Sequence, residues 1–217
     1  MASKRSRGAI WVLTGTNGAG KSSILGAEIS ARNLDFLNPD EAARRILIAD
    51  PALSLQEANS RAWYQNVELL ERAIAENSAY AFETTLGGNT IPALLEKAAT
   101  AGLDVIIAYV GLSSPELHIA RVQARVARGG HDIPKEKIRE RYAQSVVNLT
   151  RLMPHLAELL LYDNSEDADP YTGKEPRPLL LLNFRRGKIV RLYHPAQVPD
   201  WAKPVVVTAM KIVSRGE

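Results

Sequence analysis

Gly15-Thr16-Asn17-Gly18-Ala19-Gly20-Lys21-Ser22 decides how the rest of the chain is read. The octapeptide fits G-x-x-x-x-G-K-[ST], the pattern of a phosphate-binding P-loop. The apolar run Ala9-Ile10-Trp11-Val12-Leu13 leads in and reads as a buried strand, and Ser23 to about Ala31 leads out as a helix. That strand–loop–helix context is what the motif requires. Glycines let the backbone fold back so that successive N–H groups converge on an anion. The helix N-terminus behind them adds a favourable dipole. Lys21 can reach terminal phosphates, and the Ser22 hydroxyl can ligate Mg²⁺, which prefers hard oxygen donors. The expected nucleotide-binding set is Gly15, Thr16, Asn17, Gly18, Ala19, Gly20, Lys21, Ser22 and Ser23, with Ser22 as the metal ligand.

Outward from the loop, short apolar runs alternate with helical patterns. Leu34 to Leu37 reads as a second strand stopped by Pro39, with a short helix from Glu41 to about Ala49. Ser54-Leu55-Gln56-Glu57 fits a capping box and opens a long helix to about Asn77, in which Trp63, Val67, Leu70 and Ile74 recur at helical spacing and are expected in the core. Ala79 to Phe82 reads as a third strand, followed by Glu83-Thr84-Thr85. Thr90 to Ala101 reads as a helix stopped by Gly102, and Val105 to Val110 as a strand buried on both faces. Ser114 caps a helix with Pro115 at its first position, which breaks at Gly129-Gly130; Pro134 opens another, to about Leu152. Leu156 to Tyr162 ends in the last parallel strand. Ser165 to Pro178 reads as a loop, Leu179 to Phe184 with Ile189 to Tyr193 as a hairpin, and Lys203 to Arg215 as a closing helix. The expected fold is α/β: a kinase-like P-loop NTPase with a central, mostly parallel sheet covered by helices on both faces, plus a small C-terminal hairpin–helix annex. One domain is expected over residues 1–217, with its core at about 9–165 and the hairpin and helix at about 179–215.

Composition bounds the function classes. The chain has 217 residues, 46% hydrophobic and 24% charged, which is ordinary for a globular protein with ample core. No apolar run reaches spanning length, and the basic start Met1 to Arg7 lacks the apolar stretch of a signal peptide, so a cytoplasmic protein without a membrane partner is expected. There are no cysteines, which excludes disulfides, thiolate metal sites and cysteine nucleophiles. The net charge of +3 suits a protein that handles polyanionic nucleotides; the basic residues are dispersed, and nucleic acid is not expected as the principal ligand.

Within the P-loop proteins, no L-S-G-G-Q signature marks an ABC ATPase and no N-K-x-D motif marks a GTPase. A short chain with a second strand so soon after Lys21 fits a small kinase. Such an enzyme needs a group to take or orient the acceptor proton, a cation clamp on the moving phosphoryl, and a metal site. Asp40, beyond the second strand, stands at the sheet edge where ligands bind and is the candidate base; a carboxylate that favours the dipole of the next helix would look the same. Glu83 and Thr85 follow the third strand and are candidates for substrate contact. Arg121, Arg125 and Arg128 share one helical face that runs into Gly129-Gly130, the layout of an arginine-bearing lid, and with Lys21 they are the candidate phosphoryl clamp. Arg128, nearest the glycines, is favoured. His131 serves a ligand or a turn equally well. Tyr142, Ser145 and Asn148, one turn apart, either line the substrate pocket or hydrogen-bond internally. Trp11 is expected in the core and Trp201 against the C-terminal annex.

These stretches together resemble the zeta-toxin family of P-loop kinases, in particular its short free-standing bacterial members. The resemblance is carried by Gly15 to Ser22, Asn38-Pro39-Asp40-Glu41, Phe82-Glu83-Thr84-Thr85-Leu86, Arg121 to Pro134, Arg139 to Tyr142, Asn148-Leu149 and Tyr162-Asp163-Asn164-Ser165. It implies a kinase using ATP or GTP with Mg²⁺. The implied acceptor is a nucleotide sugar, UDP-N-acetylglucosamine, phosphorylated on the sugar's 3′-hydroxyl, and an antitoxin protein is the implied partner. It places Asp40 at the family's catalytic base, Glu83 and Thr85 at substrate contacts, Lys21 and Ser22 at nucleotide and metal contacts, and Arg128 with Arg121 or Arg125 at the phosphates. The chain is shorter than the epsilon–zeta toxins, and its C-terminal hairpin and helix have no counterpart assigned there. The alternatives are a kinase for another nucleoside or sugar, and a nucleotide-binding regulator or nucleic-acid-associated ATPase.

Overall fold

A computed structural model describes residues 7–21, 36–166 and 178–216. Ser22, Ser23, the helix expected after the P-loop and most of the expected loop after Ser165 lie outside them. The strands are β1 (Ala9–Thr14), β2 (Phe36–Leu37), β3 (Tyr80–Thr84), β4 (Asp104–Gly111), β5 (Glu158–Asp163), β6 (Leu179–Arg185) and β7 (Lys188–Leu192). They form one sheet in the order β2-β3-β1-β4-β5-β6-β7. The first five are parallel; β5–β6 and β6–β7 are antiparallel. β1 lies between β3 and β4, with Val12 opposite both Phe82 and Ile107, so the P-loop leaves the middle of the sheet at its C-terminal edge. Ligands bind at that edge in open α/β sheets.

The described helices are α1 (Pro39–Ala49), α2 (Leu55–Glu76), α3 (Thr90–Thr100), α4 (Pro115–Val126), α5 (Lys135–Leu152) and α6 (Lys203–Gly216). No helix among the described residues is long and apolar enough to cross a membrane. One face of the sheet meets the large core: Ile10, Val12, Phe82, Val105 and Ile107 pack with Leu70 of α2, Leu95 of α3, Leu149 of α5 and Val205 of α6. The opposite face is built on Leu13, Val110 and Ala19 of the P-loop itself.

Local chemistry accounts for the ends that matter to the site. The Asn38 side chain accepts from the N–H groups of Asp40 and Glu41, and Pro39 takes the first helical position, so α1 starts two residues before the expected Glu41 and Asp40 sits in its first turn. β3 runs on through Glu83 and Thr84, because both keep register with β1. The Ser54–Glu57 capping box of α2 is complete. Within α2, Leu70 and Ile74 are buried and Val67 packs on the core, but Trp63 is 40% exposed, contrary to its expected core position. The helical period puts Trp63 on the shoulder of the apolar stripe, where it lines a cavity that opens toward the start of α5. Trp11, also expected in the core, is half-buried.

The C-terminal hairpin continues the main sheet. Trp201 stacks on Tyr109 of β4 at 5.9 Å and donates through Nε1 to Asp163 at the end of β5 (3.0 Å). A Cβ on Gly111 would stand 2.3 Å from the Trp201 ring, so this seat requires glycine.

Candidate active site

The P-loop is shaped by glycine and by close packing. Gly15 has φ +139°, and a Cβ there would lie 2.1 Å from the Val110 carbonyl of β4; Gly18 has φ +86°, and a Cβ there would lie 2.6 Å from the His118 carbonyl of α4. No other residue fits either place. Lys21, only 6% exposed, donates to the Gly15 carbonyl (2.8 Å) and pairs with Glu83 Oε1 at 3.3 Å. Glu83 Oε2 accepts from the Asn38 amide at 3.3 Å, which ties β3 to the start of α1.

Two cavities meet at these residues. The smaller, about 260 Å³, is lined by Asn17, Gly18 and Gly20 on one side and by Arg121 and Arg125 on the other. The larger, about 910 Å³, opens between α2 and the start of α5, and its wall includes Asn59, Trp63, Tyr64, His131, Lys137 and Arg141. Lys21, Asn38, Asp40 and Glu83 line both. A small backbone cradle flanked by arginines thus joins a larger side-chain chamber at one lysine and two carboxylates.

Of the residues singled out from the sequence, Asn17, Gly18, Gly20, Lys21, Asp40, Glu83, Arg121 and Arg125 come together around the cradle, and Thr85 lines the larger chamber beside Glu83. Gly15, Thr16 and Ala19 are buried behind the cradle. Arg128 does not line it: α4 ends at Val126, and Gly129 (φ +85°) closes the turn with Gly130 N–H bonded to the Arg125 carbonyl. The favoured arginine is thereby carried past the cavity, on an exposed turn, while Arg125 reaches across the glycines to the His131 carbonyl (3.0 Å) and Arg121 to the Glu166 carbonyl (3.0 Å). Tyr142, Ser145 and Asn148 bond internally. Ser145 Oγ pairs with the Tyr109 hydroxyl at 2.7 Å, Asn148 donates to the carbonyls of Leu86 and Gly88, and Tyr142 donates to those of Leu112 and Ser113. Burial, more than the Ser145 bond offsets, pushes the Tyr109 phenol up to about 12, so it stays protonated.

Three further residues meet the loop, and no local pattern in the sequence assigns them a role there. Arg141 of α5 donates to Asn17 Oδ1 at 2.8 Å and lines the chamber. His118 of α4, 1% exposed, donates through Nδ1 to the Asn17 carbonyl at 2.9 Å. Asn164, 5% exposed, donates to the Ala19 carbonyl at 2.9 Å. A carbonyl only accepts, so His118 is the Nδ1–H tautomer. Burial pushes its pKa down to about 4; the Asn17 bond opposes this, and the Lys21 and Arg121 charges add to it.

Residues 10–146 match the AAA domain family. The chain belongs to that family. Its fold is kinase-like, of the P-loop type. An uncharacterized protein of Haemophilus influenzae is 32% identical over 128 residues, 59% of this chain and 88% of the relative. Among solved structures, a chain of the AvrRxo1-ORF1:ORF2 complex with ATP superposes with a TM-score of 0.64 at 14% identity, over 97% of this chain and 65% of that one. A chain of the PezAT chromosomal toxin–antitoxin system of Streptococcus pneumoniae superposes with a TM-score of 0.56 at 14% identity, over 99% of this chain and 88% of that one.

Proposed function

We propose that this protein is a phosphotransferase that moves the γ-phosphoryl of ATP or GTP to a hydroxyl of a small-molecule acceptor. The observation that carries the reading is the junction of the two cavities at Lys21, Asp40 and Glu83. A triphosphate seated on Gly18 and Gly20 puts its terminal phosphate beside Lys21, and an acceptor in the larger chamber meets it beside Asp40. The AvrRxo1 relative of the same fold was solved with ATP.

In the reaction, the acceptor oxygen bonds to the γ-phosphorus as the bond to the β–γ bridging oxygen breaks, and the nucleoside diphosphate leaves. Asp40 takes or orients the acceptor's proton, on an exposed carboxylate whose backbone is fixed by the Asn38 cap. Lys21 exchanges its present partners, the Gly15 carbonyl and Glu83, for phosphate oxygens. Arg121 and Arg125 offer charge from one side of the cradle, and Arg141 from the chamber beside Asn17. Arg128 acts only if its turn folds inward. Glu83 and Thr85 hold the acceptor. The donor set at the junction is carboxylate oxygen, which suits a hard divalent cation, and Ser22 with Asp40 or Glu83 would hold Mg²⁺. Mg²⁺ held there would neutralise charge on the triphosphate.

For the acceptor, the zeta-toxin resemblance names UDP-N-acetylglucosamine, and the chamber suits a nucleotide sugar. Asn59 offers an amide to hydroxyls, Lys137 and Arg141 offer charge to a diphosphate, and Trp63 and Tyr64 offer aromatic surface. An antitoxin protein is the partner the same resemblance implies. The test is incubation with Mg²⁺-ATP and UDP-N-acetylglucosamine, with mass spectrometry for one added phosphoryl group. Asp40→Asn is expected to lower turnover by about 10²–10⁴-fold while nucleotide binding survives. Wild-type turnover in that variant removes Asp40 as base, and no product from the wild type moves the question to other acceptors.

A further inference from the structure

The P-loop is held open for an anion by side chains that belong to other elements. We infer that His118 and Asn164 are positioning residues: each grips a loop carbonyl from behind and so turns the N–H of the same peptide into the cradle. The inference rests on the phosphate-binding reading above.

The argument is peptide geometry. In a planar trans peptide the C=O and the following N–H point in opposite directions. The Asn17 carbonyl shares its peptide with the Gly18 N–H, and the Ala19 carbonyl shares its peptide with the Gly20 N–H. Gly18 and Gly20 line the small cavity, and the carbonyls behind them are bonded to His118 Nδ1 (2.9 Å) and Asn164 Nδ2 (2.9 Å). A third loop carbonyl, Gly15, is held by Lys21 at 2.8 Å. That bond comes from within the motif, from the ammonium that is itself to meet the phosphate. The His118 and Asn164 bonds come from outside and persist when the anion binds.

Both grips are themselves anchored. Asn164 follows β5, and its own N–H bonds to the Gly111 carbonyl of β4 at 3.0 Å. His118 lies edge-on to the Tyr142 ring at 5.5 Å, and its backbone carbonyl abuts Gly18 so closely that a Cβ there would stand 2.6 Å away. The sheet edge and α4 therefore set the two peptide orientations before any ligand arrives. A preformed cradle loses no free energy to reorientation on binding.

The experiment measures the affinity of the full-length chain for inorganic tripolyphosphate by titration calorimetry, with the thermal midpoint taken in the same buffer. His118→Leu removes one donor. Asn164→Asp keeps the shape and sets an acceptor against the Ala19 carbonyl. Each is expected to weaken binding about tenfold. His118→Asn places an amide N–H where Nδ1 stands and is expected to bind within about twofold of wild type; a merely structural histidine predicts no such rescue. If all three variants bind as wild type does, the inference is overturned and the phosphate reading stands. If the wild type does not bind, the phosphate reading falls and this inference with it. Should a variant fail to fold, the wild-type amide protons decide. Gly18 and Gly20 are expected to move downfield when tripolyphosphate is added, and unmoved signals overturn the inference.

Discussion

The two cavities are built by different means. The cradle is backbone: glycines at positive φ, carbonyls gripped by buried side chains, and a lysine only 6% exposed. The chamber is side chain: Trp63 and Tyr64 are 40% and 66% exposed among the described residues, and their rings meet edge to face at 4.9 Å. A backbone site binds what all donors share, the phosphates, and tolerates little change. A side-chain site can be re-cut without disturbing the fold. On the proposed reaction, reaction type resides in the cradle and the junction, and acceptor choice in the chamber.

The hardest blow to the comparison falls at the junction. On the proposed reaction, Lys21→Met removes a charge aimed at the moving phosphoryl and is expected to lower kcat by about 10²–10³. Glu83 then loses its cationic partner while keeping the Asn38 amide. Single-turnover kinetics with saturating nucleotide check this, and an unchanged kcat would show that the charge is supplied by the arginines alone.

The cradle's rigidity has a pH signature next in size. Neutral His118 is the native form, while the unfolded chain takes up a proton near pH 6.5. Its contribution to stability is complete above that pH, is lost as pH falls from 6.5 to about 4, and changes no further below. The loss is about 3 kcal/mol over that window. Denaturant unfolding at pH 7 and pH 4.5 is expected to show it in the wild type. His118→Asn, with nothing to titrate, is expected to have the flatter profile, and parallel profiles would remove His118 as the source.

The same contrast explains what could be read before the structure. β1 and β4 were legible because inner strands of a parallel sheet are near-continuous apolar runs, even where alternate residues stay half-buried. The P-loop was legible because glycine and lysine at fixed spacing have one physical use. Asn38-Pro39 announces the start of α1, as a cap followed by proline at the first turn, although the same proline equally ends a strand. Arg141 and Asn164 lie in stretches that carry the resemblance, but which loop group they and His118 meet could not be read, because the contacts span 124, 145 and 101 residues. A histidine in an ordinary amphipathic helix gives no sign of which carbonyl it will find. Arg128 stands apart from Arg121 and Arg125 for a related reason: spacing along a helix says which residues share a face, but not where the helix ends, and α4 stops before it.

The smallest expected effect is the one that sharpens the division of labour most. Trp63→Ala removes an exposed ring from the chamber wall, so its cost to folding is expected to stay within about 0.5 kcal/mol. If the ring stacks on the acceptor, the acceptor KM rises about tenfold, and kcat and the nucleotide KM stay within about twofold. That pattern is the loss of uniform binding and belongs to a residue that recognises without reacting. A change in kcat would mean that Trp63 sets the acceptor's attack geometry, so that recognition and reaction share the wall. A change in nucleotide KM would mean that the nucleotide reaches over the junction into the chamber, and the boundary at Lys21 and Asp40 would have to be redrawn.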